Sequence, residues 1–250
     1  MVTGIDTLKK YFKGFESEYV IIGGTACDLL MAEEGLDFRA TKDIDMVLIV
    51  EALTAEFGRK FWDFIISAGY EHCNKSSGTP QFYRFSKPKD HSYPFMIELF
   101  SHKTDIIQLA NNAVLTPLHI DDSVSSLSAI LLNENYYQCL RSGIVQIDGV
   151  PILGAPHLIA FKAKAWVDLS TRQANGEHVD SKNIKKHKND IFRLSALLVP
   201  NQTITVPQSI LSDLHTFIKA MHSEDVDLKA LKISGSKSEI LSHLSLIYTA

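Results

Sequence analysis

The chain has 250 residues, 45% of them hydrophobic, and a formal net charge of -4. That length admits one large or two small domains with a packed core, and the acidic balance excludes the broad basic face that non-specific duplex binding needs, leaving room for a local basic patch alone. No apolar run is long enough to span a bilayer, and Met1-Val2-Thr3-Gly4-Ile5-Asp6 lacks the charged and apolar regions of a signal peptide, so the expected setting is the cytoplasm with no membrane partner.

Ile5, Leu8, Phe12 and Phe15 recur at helical spacing, and Ser17-Glu18-Tyr19-Val20-Ile21-Ile22 reads as a short buried strand. That strand runs into Gly23-Gly24-Thr25-Ala26 and then a good helix former from Cys27 to Glu34. Strand, glycine pair, hydroxyl and helix in that order gather free backbone N–H groups and the positive end of a helix dipole at one point, which suits a phosphate. Glycine pairs also serve turns for backbone reasons alone.

After a loop at residues 35–40 comes Thr41-Lys42-Asp43-Ile44-Asp45-Met46-Val47-Leu48-Ile49-Val50, a strand with one chemically loaded end. Side chains alternate along a strand, so Asp43 and Asp45 leave on one side while Ile44, Met46 and Leu48 leave on the other. Two carboxylates side by side repel, and a cation between them is the expected remedy; oxygen-only ligands suit Mg²⁺ or Mn²⁺. The alternative is a pair of acids fraying into solvent. Next, Phe57, Phe61, Phe64, Ile65 and Ala68 line one face of a helix that Thr54 is placed to cap. A polar stretch at residues 72–80 precedes a hairpin of residues 81–86 and 93–100 around Lys87-Pro88-Lys89-Asp90. In its second strand Phe95, Ile97 and Leu99 share a face and Glu98 emerges opposite. An acid inside an apolar strand either reaches water at an edge or has a charge partner. One such partner is a metal shared with Asp43 and Asp45.

A strand near residues 114–120, an apolar run at 129–132, a helix capped by Asn133 and two short strands joined at Asp148-Gly149 follow. Gly154-Ala155-Pro156 marks the change to a helical half, so the expected domains are residues 1–154 and 155–250. In the helix over 157–169, Lys162 shares the apolar face with Leu158, Phe161, Ala165, Trp166 and Leu169, while Lys164 lies beside Asp168 on the far side as a surface ion pair. The next helix, over 182–194, carries Ile184, Ile191 and Leu194 on its stripe, and Lys188 falls on that stripe, where a lysine must snorkel or meet an anion. Asp190 has Lys186 and Arg193 at neighbour spacing, and Lys182, Lys185 and Lys186 read as a solvated face. Further helices are expected near 206–220, 226–231 and 236–247. Cys27, Cys73 and Cys139 are odd in number and unrelated in spacing, so they read as core thiols and give neither a disulfide framework nor a zinc knuckle. No His-Glu-x-x-His pair, Gly-x-Ser-x-Gly elbow or Cys/His couple is present.

Gly23-Gly24-Thr25-Ala26, Arg39-x-Thr41-x-Asp43-Ile44-Asp45 and the lone strand acid Glu98 together resemble the DNA polymerase β-like nucleotidyltransferase superfamily. Ala160-Phe161-Lys162-x-x-Ala165 and Lys188-Asn189-Asp190-Ile191-Phe192-Arg193-Leu194 narrow the resemblance to the AbiEii branch, the nucleotidyltransferase toxins of bacterial toxin-antitoxin and phage-abortive systems. The resemblance covers residues 18–198. It implies an α+β fold: a nucleotidyltransferase domain with a mixed central sheet flanked by helices, and a mostly helical C-terminal domain closing the nucleotide cleft. It also implies a transferase that moves an NMP from a nucleoside triphosphate, ATP among them, to an acceptor hydroxyl on RNA such as tRNA, or on protein, with an antitoxin protein as partner. The alternatives are a transferase acting on a sugar or antibiotic, and a catalytically silent nucleotide- or partner-binding module.

Carried over residue by residue, the resemblance implies that Gly23, Gly24 and Thr25 hold the triphosphate and that Asp43, Asp45 and Glu98 bind Mg²⁺ or Mn²⁺. Glu98 would also accept the acceptor's proton. Lys162 and Lys188 would face the phosphates, with Asp190 orienting them or the acceptor. Two departures stand out. The second helical motif reads Lys-Asn-Asp where many relatives read Lys-Asp, and Asp168 replaces an arginine, with Arg172 as its substitute.

Overall fold

The computed structural model describes residues 2–75, 81–102, 116, 117, 130 and 133–250. The expectations for residues 76–80, and most of those for 114–120 and 129–132, lie outside them. The chain is a mixed α/β protein in two compact units: residues 1–120 with 144–154, and residues 121–143 with 155–250. The divide is therefore not a single cut near Gly154, because residues 121–143 belong with the helical half. No described helix is long and apolar enough to cross a membrane.

The first unit is built on an eight-stranded sheet. Its strands are β1 (Tyr19–Ile22), β2 (Asp43–Leu48), β3 (His72–Lys75), β4 (Gln81–Ser86), β5 (Met96–Ser101), β6 (Thr116–Pro117), β7 (Ile144–Ile147) and β8 (Val150–Leu153), in the order β6-β3-β4-β5-β2-β1-β8-β7. The sheet is mixed: β2 runs parallel to β5 and antiparallel to β1, and β1 runs parallel to β8. Strand β3 occupies residues expected to be a polar loop. Its alternation is weak in sequence, and it pairs antiparallel to β4 regardless.

One face of the sheet is aromatic. Helix α1 (Ile5–Tyr11) and helix α3 (Ala55–Ala68) present Phe12, Phe57, Phe61 and Phe64 to one another and to Tyr19 and Phe85 at ring separations of 5.2 to 6.2 Å. Such edge and offset contacts add to the burial that drives the face together. Thr54 caps α3 as expected, accepting from the Phe57 N–H, and the buried Glu18 accepts from the Thr54 N–H at 2.7 Å, so a β1 neighbour fixes where α3 starts. The β7–β8 turn is the expected Asp148-Gly149, with φ of 48° and 74°, the left-handed pair that suits a two-residue hairpin. Helix α2 (Gly23–Glu33) begins at the first glycine and packs against β1 and β2.

The second unit holds α4 (Glu134–Ser142), α5 (Ala155–Ala174), α6 (Ser181–Ser195), α7 (Gln208–Met221) and α8 (Lys237–Ile247), with a two-stranded parallel sheet of β9 (Ile204–Thr205) and β10 (Tyr248–Thr249). Asn133 caps α4, accepting from Asn135 and Tyr136, and a capping box of Ser236 and Glu239 starts α8. Helix α5 packs on α6 and α7, with Trp166 edge-on to Phe217 at 5.4 Å. Residues 228–232 form a turn where a helix was expected over 226–231, and Val206 continues the β9 ladder by donating to Thr249 O. A single turn's worth of apolar periodicity at 226–231 cannot repay helix nucleation.

Candidate active site

Strand register alone brings the acids together. Asp45 lies opposite Glu98 on the parallel β2–β5 ladder, and Glu98 lies opposite Arg84 on the antiparallel β4–β5 ladder. Since opposite residues share a face, Arg84, Glu98 and Asp45 form a row across three strands, on the face away from the aromatic cluster. Glu98 at the centre of the row is buried and its two neighbours are half-buried, which separates this row from a frayed strand end.

Glu98 is buried to 7% exposure. Its Oε1 accepts from Arg84 Nε at 2.7 Å and also meets Arg84 Nη2. Burial first, and then the charge and hydrogen bond of Asp45, push the Glu98 carboxyl above the usual carboxylate range, while Arg84 pulls it down. Arg84 is the residue that the sequence reading missed. The hairpin signal at Lys87-Pro88-Lys89-Asp90 could not have found it: a four-residue turn there would set Arg84 opposite Tyr93, whereas the connection spans residues 87–95 and sets Arg84 opposite Glu98.

Asp45 also reaches the glycine pair. Gly23 has φ of 68°, and a Cβ there would collide with the Asp45 carboxylate, so both backbone shape and space call for glycine. A Cβ on Gly24 would stand 2.8 Å from Thr41 Oγ1 and 3.2 Å from Arg39 Nη2. The first turn of α2, a hydroxyl, a guanidinium and a carboxylate thus converge within one small region. Thr25 is fully buried and its hydroxyl donates to Asp43 O at 2.6 Å, so its side chain fastens α2 to β2 and only its backbone is left to meet a ligand.

Asp43 opens β2 two residues before Asp45 on the same face. Among the described residues no group of three or more His, Cys, Asp or Glu side chains is gathered closely enough to hold a metal ion. Of the three expected acids, Asp45 and Glu98 are brought together and Asp43 flanks them. Two adjacent carboxylates with oxygen donors alone nonetheless fit a hard divalent ion, which takes its remaining ligands from water and substrate phosphates.

The other expected residues lie in the helical unit. Lys162, 5% exposed, donates to Asp190 Oδ2 at 2.8 Å, and Asp190 is fully buried with Arg193 Nη1 at 3.7 Å from Oδ1. Lys188 Nζ donates to Glu224 Oε2 at 2.6 Å and to Asp225 O at 2.9 Å, so the lysine on the stripe does meet an anion. Lys164 lies between Asp168 at 3.2 Å and Asp213 at 3.4 Å, and Arg172 is paired with Glu177.

No protein-family model matches the chain, and no curated protein matches it. Among solved structures, it is similar to an antigenic nucleotidyltransferase-like protein from Paracoccidioides brasiliensis, at 17% identity over 94% of this chain and 93% of that one, with a TM-score of 0.46. It is also similar to the Megavirus polyadenylate synthase (12% identity, 88% of this chain and 37% of that one, TM-score 0.42). A third likeness is to a cytoplasmic RNA terminal U-transferase (13% identity, 89% of this chain and 66% of that one, TM-score 0.30).

Proposed function

We propose that this chain is a metal-dependent nucleotidyltransferase, moving an NMP unit from a nucleoside triphosphate to an acceptor hydroxyl. The observation that carries the reading is the meeting of Asp45 with both Glu98 and the Gly23 backbone, which sets a carboxylate pair against the first turn of a helix. A divalent ion held by Asp45 and Glu98, with Asp43 beside them, would supply positive charge to the reacting phosphoryl group and the departing pyrophosphate. Gly23 and Gly24 offer backbone N–H groups to the triphosphate, and Arg39 and Thr41 stand over the same turn. The acceptor oxygen forms a bond to the α-phosphorus, the bond from that phosphorus to the bridging oxygen breaks, and pyrophosphate leaves with the electron pair. The acceptor's proton passes to a carboxylate of the Asp45–Glu98 pair. Lys162 and Lys188 are the cations proposed for the phosphates, with Asp190 orienting Lys162 through their 2.8 Å contact and Lys188 exchanging Glu224 for a phosphate oxygen.

As to biological role, we favour an AbiEii-like toxin acting on RNA or protein over a transferase for small hydroxylated molecules. A different class of reading has one specific observation in its favour. Arg84 already neutralises Glu98, as it would in a catalytically silent nucleotide- or partner-binding module. Melting the protein with Mg²⁺ and each of the four NTPs separates these readings: an active site raises Tm with at least one NTP, and Asp43→Asn removes the rise. No rise with any NTP in folded protein sinks the enzyme and leaves the partner-binding module, while a rise with no label passed to any acceptor marks the silent nucleotide-binding one. Labelled NTPs incubated with tRNA, protein and small acceptors then identify the acceptor, and label on a small molecule alone dismisses the toxin role.

A further inference from the structure

We infer that Arg84 is a positioning residue for divalent-ion binding, holding Glu98 so that the carboxylate pair can take an ion. The inference rests on the metal-dependent reading above and extends it to a residue on a third strand. Its basis is geometric. The β4–β5 and β5–β2 ladders set Arg84, Glu98 and Asp45 in one line whatever their rotamers. Two nitrogens of the guanidinium, Nε and Nη2, converge on the single oxygen Oε1 of Glu98. A planar group gripping one oxygen from the far side fixes the rotation of the whole carboxylate and turns it toward the neighbouring acid.

As a stabilising device the row makes little sense. A buried ion pair rarely outperforms apolar packing of the same volume, and here a second acid stands beside it and undercuts the pairing. Tyr83 and Phe85, flanking Arg84 on the same strand, are buried in the aromatic face, so β4 needs no charge for its own packing. A polar group that orients a ligating carboxylate has, by contrast, a well-defined effect: its loss typically weakens metal affinity about 10- to 100-fold.

The test uses Mn²⁺ alone as probe, titrated into the full chain and followed by electron paramagnetic resonance of the free ion. Wild type should bind Mn²⁺ and Asp45→Asn should not, which checks the metal reading by itself. Arg84→Met should weaken binding on the order of 10- to 100-fold in protein that keeps the wild-type circular dichroism spectrum, whatever the change in its metal-free Tm, and Arg84→Lys should recover part of the affinity, since one ammonium can still reach Oε1. A role in folding alone would lower Tm in Arg84→Met and leave Mn²⁺ affinity unchanged in the protein that remains folded. Arg84→Met binding Mn²⁺ as tightly as wild type, or more tightly, overturns the inference while leaving the metal reading intact. Wild type binding no better than Asp45→Asn overturns both.

Discussion

Each unit of this protein buries charge, and the two do so on opposite terms. In the helical unit Lys162 and Asp190 meet at 2.8 Å with both side chains almost wholly out of water, and Arg193 approaches the second Asp190 oxygen. One acid faces two cations, and no charge is left over on the acid's side. In the sheet unit two acids, Asp45 and Glu98, share one arginine. With both acids ionised that row carries surplus negative charge, and it stands beside a helix start that attracts anions. Folding alone has reason to keep the first arrangement. The second weakens the fold unless something positive completes it, as expected where a site is kept for chemistry at some cost to stability.

The largest effect should come from breaking the closed arrangement. Lys162→Met leaves Asp190 buried with Arg193 as its remaining cation at 3.7 Å, and loss of one partner of a buried pair costs about 3–5 kcal/mol. Urea unfolding should show the loss, and Lys162→Met combined with Asp190→Leu should recover most of it. A single variant within about 1 kcal/mol of wild type would mean that the pair is looser than its burial implies, and that Lys162 is free to serve a phosphate at little cost.

The same logic applied to the sheet row gives a smaller effect of opposite sign. Asp45→Asn removes a like charge directly across from Glu98, a clash worth about 0.2–1 kcal/mol between opposed strand residues. In metal-free buffer the variant should be as stable as wild type or more stable by that amount, even though it loses the Mg²⁺- and NTP-dependent rise in Tm. A drop in stability instead would mean that Asp45 is held by a favourable contact outweighing the repulsion, and the contrast between the two units would fail.

How much of this was legible beforehand follows from which interactions are local. The same-face placement of Asp43 and Asp45, the Thr54 and Asn133 caps and the Asp148-Gly149 turn are set by neighbours in sequence, and the structure has each of them. The meeting of Asp45 with Glu98 was reached through resemblance, since no local pattern can align β2 with a strand some fifty residues later. The partners of the buried charges were the least readable. Asp190 has Lys186 and Arg193 at helical spacing, yet it pairs at 2.8 Å with Lys162 on another helix, and Lys188 finds Glu224 beyond α7. Glu98 was expected to need a partner, and the partner is Arg84, which only strand register reveals. Strand β3 went unseen because its residues alternate weakly, and a neighbouring edge rather than its own pattern makes it a strand.

The smallest predicted effect sharpens the comparison from the helical side. His157 lies in the first turn of α5 with its ring against Gly143, so close that a Cβ on Gly143 would collide with it. Burial lowers the imidazole pKa below its ordinary value, because the charged ring loses more from leaving water than the neutral one. The unfolded chain therefore takes up a proton near pH 6.5 while the folded chain still refuses one, and stability follows the difference in bound protons. Stability from this site is full above about pH 6.5 and falls as pH drops from there toward the lowered folded value. The effect should be modest because the ring is only half-buried. Urea midpoints at pH 7.5, 6.0 and 5.0 should decline in wild type more steeply than in His157→Gln, which carries no titrating ring. Equal slopes in the two proteins would show that His157 takes its proton in the folded state as easily as in water, and that the helical unit's buried charges are fully matched without it.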